Sequence, residues 1–265
     1  MTTTTFSLQQ DIGLAGRQVF YQQRAFWRNR RAAVASIIFP LMFLVVFGSL
    51  NHGQSLTSRG GLSYIDFCVP GIIAYAVVLI GFNTTAMNFA ALRTNGTVKR
   101  IRVTPLPWSV YVLGTVGSTL LVMAIAISIM LAVGVSALGA TFRAATVPGL
   151  VITLLLGCAC FTTLGIGAAR RIARPENGMG ILMIVTLPLM FISNVFFPLD
   201  NAPDWLQSVA RIFPVQPLAD GLQVAFDPRT QGVGIVWHDA RTLIIWTVVG
   251  CVSMLRYMRS TNQRA

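Results

Sequence analysis

The chain has 265 residues, 54% of them hydrophobic and 11% charged, with a formal net charge of +12. Soluble domains carry roughly 25% charged residues, so this composition excludes an ordinary soluble domain and points to a membrane protein. The basic residues, nearly all arginine, lie in the gaps between apolar runs, which is a topology pattern and not a nucleic-acid footprint.

The start is polar and Thr-rich and lacks the apolar core of a signal peptide. Residues 11–31 then read as an amphipathic helix lying on the membrane. At about 100° per residue, Ile12, Val19, Phe20, Phe26 and Trp27 fall within an arc of about 120°, and Arg17, Arg24 and Arg28 cluster within about 40° beside it.

Six apolar runs follow, each near the roughly 20 residues needed to cross the hydrocarbon core. The predicted spans are 32–50, 67–91, 109–138, 146–169, 177–198 and 236–257. Pro40 and Pro188 fall inside spans, where a missing N–H predicts kinks. His238, Asp239 and Arg241 blur the start of the sixth span. The expected fold is therefore all-α: one transmembrane domain over the whole chain, with an N-terminal interfacial helix, six transmembrane helices, and short external or re-entrant helices between spans five and six.

Loop charges set the orientation. Fifteen Lys and Arg residues fall before the first span, in the second and fourth loops and in the tail, against five on the other side. The positive-inside rule then places both termini in the cytoplasm. The basic loop 91–108, with Arg93, Lys99, Arg100 and Arg102, becomes the most conspicuous cytoplasmic handle. The 199–235 segment becomes external. Within it, Asn201 is a candidate helix cap, with Pro203 in the first turn and Asp204 near the positive helix end. Trp205, Leu206, Val209, Ile212 and Phe213 repeat at helical spacing. Such a stripe must dip into the interface or pack on span ends, and Leu218 to Phe226 is a second short piece of the same kind.

Several chemistries are missing. No GxxxxGK[ST], HExxH or GxSxG occurs, and Lys99 has no phosphate-cradling glycines before it. His52 and His238 lack metal-ligand neighbours. Cys68, Cys158, Cys160 and Cys251 sit in apolar segments without CxxC spacing and read as small apolar residues. Asp66 and Asp239 fall at outer span ends, where a solvated interfacial role is expected. A membrane protein with no catalytic centre and no ion-coupling site draws its energy from a partner.

The polar residues inside the spans are few. Asn83, Thr84 and Asn88 lie in the second span, with Thr84 and Asn88 one turn apart on a shared face. Ser193 and Asn194 lie near the outer end of the fifth, beside Phe191, Phe196 and Phe197. An amide in hydrocarbon needs a partner or a wet cavity. Asn83, Thr84, Asn88, Phe191, Ser193, Asn194 and Phe197 are therefore candidates for a substrate path, and interhelical glue worth about 1 kcal/mol each is the competing role.

The chain resembles a type-2 ABC transporter permease of the daunorubicin-exporter class. The resemblance rests on the interfacial helix, the six spans, and the segment Gly96-Thr97-Val98-Lys99-Arg100-Ile101-Arg102-Val103-Thr104-Pro105-Leu106-Pro107. It rests also on Phe196-Phe197-Pro198-Leu199 followed by Pro203-Asp204-Trp205-Leu206, and on the Pro214 to Leu222 stretch. The resemblance implies a non-catalytic permease subunit of an ATP-driven exporter in a bacterial cytoplasmic membrane. The cargo would be an amphipathic drug, antibiotic or lipid-like compound. ATP and Mg would be bound by a separate ATP-binding subunit, in two copies with two permeases, and no cofactor would be held in this chain. Gly96, Thr97, Val98, Lys99, Arg100, Ile101 and Arg102 would form the coupling helix that docks into the ATPase, and the helices after the fifth span would close the outer end of the path. Membrane lipid is an expected partner and nucleic acid is not. The alternatives are a polysaccharide or lipo-oligosaccharide exporter, a non-transporting scaffold and an intramembrane enzyme. The chain departs from the family pattern at Thr94, where an acidic residue is frequent, and at Asn194, where Gly is frequent.

Overall fold

The computed structural model describes residues 8–28, 30–96, 108–141, 143–172, 175–200 and 202–263. It is helical almost throughout. The helices are α1 (Leu8–Arg28), α2 (Arg30–Leu50), α3 (Tyr64–Val78), α4 (Thr85–Thr94), α5 (Trp108–Ser136), α6 (Val147–Ala168), α7 (Pro175–Phe191), α8 (Asp204–Ile212), α9 (Val215–Gln223) and α10 (Trp237–Gln263). A two-stranded antiparallel hairpin, β1 (Ser55–Leu56) and β2 (Leu62–Ser63), is an addition to the expected all-helical set.

Among the described residues, five helices are long and apolar enough to cross a membrane: Ala33–Leu50, Tyr64–Thr94, Val110–Ser136, Ala144–Arg171 and Trp237–Tyr257. They match the first four expected spans and the sixth. The helices run through Pro40 and Pro188 without a break. The sixth starts at Trp237, so His238, Asp239 and Arg241 are inside it.

The fifth span differs from expectation. Its helix α7 has 17 residues and ends at Phe191, so it is about 26 Å long at 1.5 Å per residue, short of the roughly 30 Å core. Residues 192–198 are not helical. Non-helical backbone at membrane depth survives only where protein covers it, and Ser193, Asn194, Val195 and Phe196 are all buried.

The cover is the second span, which lies at the centre of the bundle with 94% of its apolar window buried. Ser63 opens it by accepting a hydrogen bond from the Ile65 N–H at 3.3 Å. Asp66, expected to be solvated, is only 6% exposed. Its carboxylate accepts from the Thr141 N–H at 2.8 Å and the Thr141 hydroxyl at 3.2 Å, tying this span to the loop after the third. Gly71 sits so close to the broken end of the fifth span that a Cβ there would lie 2.3 Å from the Val195 carbonyl oxygen. Midway, Leu79–Thr84 forms a π-helical stretch that joins α3 to α4. The hydroxyls of Thr84 and Thr85 donate to the Leu79 and Ile80 carbonyls, each at 3.1 Å, and satisfy groups that the wider turn leaves free.

The segment between the fifth and sixth spans is partly buried against the bundle, as a re-entrant piece would be. Leu218 meets Gly157, Gly221 meets Thr153, and the Thr146 hydroxyl donates to the Ala225 carbonyl at 3.0 Å. Gly157 is ten residues into α6, about 15 Å from its start at Val147. From α8, the Ile212 carbonyl accepts from the Trp246 indole N–H at 2.7 Å, well inside α10. The pair α8–α9 is therefore a re-entrant hairpin that reaches about halfway through the core. Its two arms differ as their sequences require. Trp205 and Ile212 on α8 are exposed, while Leu218, Ala219 and Leu222 on α9 are fully buried, so the second piece is a core element and not an interfacial one. Pro203 occupies the cap position of α8 without a side-chain cap, and Asn201 lies outside the described residues.

The amphipathic α1 does not lie free on the surface. It packs along α5, where Gly114 and Gly117 bring it close: a Cβ on Gly114 would meet Gln18, and one on Gly117 would meet Val19 at 2.8 Å. Gln22 Nε2 donates to the Thr115 hydroxyl at 3.3 Å and Gln23 Nε2 to the Ser118 carbonyl at 2.8 Å. Phe20, Tyr21 and Trp27 remain exposed, with Arg17, Arg24 and Arg28 beside them.

The Gly71 contact gives a test. Gly71→Ala places a Cβ against backbone that cannot rotate away, and should cost about 1–3 kcal/mol. Gly180→Ala enters open space and should be neutral or slightly stabilising. Melting curves of the two detergent-purified variants beside the parent protein measure the difference.

Candidate functional site

Aromatic residues from three elements meet on one face of the bundle. Phe39, Phe43 and Phe47 repeat four apart on α2 and so share one helix face. Phe43 and Phe47 stack 5.8 Å apart. Phe196, just past the broken end of the fifth span, is the hub. Its ring lies 5.5 Å from Tyr75, 5.7 Å from Phe43, 5.9 Å from Phe47 and 5.5 Å from Phe191. Phe197 stacks on Phe191 at 6.4 Å and meets Phe47 edge-on. Phe196 is 6% exposed, whereas Phe39, Phe191 and Phe197 are 41%, 53% and 49% exposed. The result is an aromatic wall with a buried spine and an open face. Of its members, Phe191 and Phe197 are legible as site candidates; Phe39, Phe43, Phe47 and Tyr75 are not. The four-residue repeat of Phe in the first span was the signal that could have found them.

Behind the wall, Asn194 has a φ of 55°, the left-handed region that Gly favours and Asn tolerates better than most residues. That is why Asn can stand where the resemblance leads to an expectation of Gly. Its side chain then does what Gly cannot. Oδ1 accepts from the Leu199 N–H at 2.7 Å, and Nδ2 donates to Asp220 on α9 at 2.9 Å. Its carbonyl accepts from Gln223 Nε2 at 2.8 Å, and the Tyr64 hydroxyl donates to the Phe196 carbonyl at 3.3 Å. The Asn194 side chain thus clamps the turn to Leu199 and to α9. Ser193 is wholly buried beside it.

At the end of the bundle that carries the β-hairpin, Arg59 joins the same assembly. It pairs with Asp200 at 2.9 Å, donates to Gln223 Oε1 at 2.7 Å and lies 4.9 Å over the Phe67 ring. A polar cavity of about 540 Å³ opens there, with Asn194, Asp220 and Arg229 among its lining. Arg229 clamps Asp227 through both carboxylate oxygens and holds that carboxyl below the usual range.

The three candidates of the second span part company. Asn83 is fully buried and turns to the fifth span, where its Oδ1 accepts from the Thr186 hydroxyl at 3.0 Å. Thr84 and Asn88 face the other way, into a crevice of about 280 Å³ between α1, the second span and α5. The seven path candidates therefore occupy four places: the aromatic wall, the buried clamp behind it, the contact of Asn83 with Thr186 of the fifth span, and this crevice.

Of the coupling candidates, Gly96 is described, with a φ of 66° that ends α4; Thr97, Val98, Lys99, Arg100, Ile101 and Arg102 lie outside the described residues. The approach to that segment is fastened. Arg93 donates to the Arg170 carbonyl at 3.1 Å and also to the Ile172 carbonyl, locking the ends of the second and fourth spans together.

The sequence pattern of the family described as ABC-2 type transporter matches residues 19–226. The inner membrane transport permease YadH of Escherichia coli K12 is 24% identical over 226 residues, which is 82% of this chain and 86% of that protein. The daunorubicin resistance ABC transporter permease protein DrrB1 of Streptomyces coeruleorubidus is 28% identical over 192 residues, 69% of this chain and 64% of that one. The probable multidrug ABC transporter permease YbhR of Escherichia coli K12 is 24% identical over 70% of this chain and 50% of its own length.

The clamp role of Asn194 predicts an order among variants. Asn194→Gly keeps the left-handed turn but loses two hydrogen bonds, each worth about 1 kcal/mol. Asn194→Ala loses the same bonds and strains the turn by about another 0.5–1 kcal/mol. Melting temperatures should fall in the order parent, Gly, Ala, and transport of different substrates should fall together. A change of substrate preference at unchanged stability would show a path residue instead.

Proposed function

Since the chain belongs to the ABC-2 type transporter family, and is a multi-pass membrane permease, we propose that it is the membrane subunit of an ATP-driven exporter of amphipathic small molecules. The aromatic wall carries this reading. Sites for such molecules have apolar and aromatic walls with a few placed polar groups, and here three open phenyl rings surround a buried spine. A second copy of the chain would cover this face by a two-fold axis and enclose a chamber between two such walls. The re-entrant hairpin, held by Asn194, Gln223 and Arg59, would close its outer end.

Energy would come from a separate ATP-binding subunit holding ATP and Mg, for the sequence has no phosphate-cradling loop around its single lysine. Thr97 through Arg102 would dock into that subunit. Arg93 supports this, since it ties the end of the second span, which leads into that segment, to the end of the fourth and would pass movement into the bundle. The end carrying Gly96 would face the cytoplasm, as the basic asymmetry requires; the alternation of spans in the structure gathers Arg28, Arg93, Arg170, Arg171 and Arg256 at that end.

Two measurements test this. Single cysteines at Asn95 and Gln207, in a background without native cysteines, should react from opposite sides of the membrane, Gln207 from outside intact cells. Reaction of both from outside overturns the orientation. Purified alone, the chain should not hydrolyse ATP; with its ATP-binding subunit it should, and amphipathic substrates should stimulate the rate. Val98→Asp with Ile101→Asp keeps every basic residue but should break the stimulation. A doubly substituted protein that inserts normally and still couples hydrolysis to transport overturns the docking assignment.

A further inference from the structure

Asn88 is exposed on the second span, two turns before its end at Thr94. An amide at that depth is costly against lipid tails and marks a wet or occupied cavity. It lines the crevice between α1, the second span and α5, together with Gln22, Thr84, Tyr111, Thr115 and Thr119. All six carry hydrogen-bonding groups and none carries a charge; nor does any other residue of the lining. Among the described side chains, the nearby cations are turned away. Arg93 is spent on the Arg170 and Ile172 carbonyls, and Arg24 and Arg28 are on the exposed side of α1. The volume, about 280 Å³, is below the roughly 300–1,000 Å³ of sites that enclose whole small molecules. It suits a head group with the rest of the molecule left outside. The floor is the π-helical stretch, an irregularity that frequently accompanies function, and α1 forms one side through Gln22 and Phe26.

We propose that this crevice binds the uncharged, hydrogen-bonding head of an amphipathic cargo, one bearing hydroxyl, amide or glycosidic groups, while its apolar body stays in the adjoining leaflet. That the bound molecule is cargo rests on the exporter reading. The selectivity has a simple physical source. Neutral donors and acceptors satisfy a neutral head, whereas a phosphate, carboxylate or ammonium would be desolvated with no opposite charge to meet it.

The test uses the chain together with its ATP-binding subunit in phosphatidylcholine nanodiscs. Three photoreactive decyl probes differ only in the head: maltoside, phosphate and trimethylammonium. The maltoside probe should label peptides of α1 and α5, and excess unlabelled decyl maltoside should compete it away. The charged probes should label those peptides at least about tenfold less, the cost of an unpaired charge exceeding that of a lost neutral bond. Asn88→Leu should cut maltoside labelling about fivefold, the weight of one neutral hydrogen bond, and the isosteric Thr119→Val guards against misfolding of the first variant. Equal labelling by all three probes, absence of labelling, or labelling unchanged in both folded variants overturns the proposal. ATP hydrolysis by the same samples separates the two readings. An active complex without head-selective labelling overturns the crevice site alone. Selective labelling in a complex that never hydrolyses ATP overturns the exporter reading and leaves the site standing.

Discussion

The fold depends on the contact between Gly71 and the Val195 carbonyl. A helix that stops at Phe191 leaves several residues of irregular backbone where lipid would otherwise be, and hydrocarbon offers their N–H and C=O groups nothing. The protein answers by burying that backbone against its most buried span. A side chain at position 71 would hold the two apart. Once they touch, Tyr64, Gln223 and the Asn194 side chain supply hydrogen bonds to the turn, and Arg59 ties the outer hairpin to the same place. A bilayer thus imposes a satisfied-backbone rule, and one glycine makes obedience possible.

The same break creates the surfaces that matter for transport. Ending the helix early turns Phe196 inward and lets Phe197 fold back to stack on Phe191. It also frees the following chain to enter as a helical hairpin and lay α9 over Gly157 and Thr153. Polar groups are then divided by position. Those at the end carrying the β-hairpin hold the re-entrant hairpin. Those at the other end line the crevice under α1, where a π-helical stretch sets Thr84 and Asn88 to one side and leaves Asn83 facing the fifth span. Neighbours in sequence therefore act in different places.

Much of this was determined by the sequence alone. Apolar runs of about 20 residues announce spans because that length of helix fits the core, and the five expected spans before and after the break agree with the helices found. The amphipathic α1 was visible in its arc of apolar residues, and the family was visible in its turn motifs. What only the tertiary structure decided was where apolar runs stop being helices and which faces they share. The run 177–198 is apolar on average, so hydropathy cannot see that Asn194 takes a left-handed turn; a buried turn and a buried helix look alike to a hydrophobic scale. The repeat from Leu218 to Phe226 could have faced lipid or protein, and only its seat on Gly157 settled it. The aromatic wall was hidden for a related reason: Phe43, Tyr75 and Phe196 are far apart in the chain, and their meeting depends on packing, which no local pattern records. Asp66, likewise, reads as a solvated end residue until Thr141, 75 positions away, is seen to hold its carboxylate. Local spacing fixes which groups a helix carries; the partners those groups meet are fixed by contacts between distant segments.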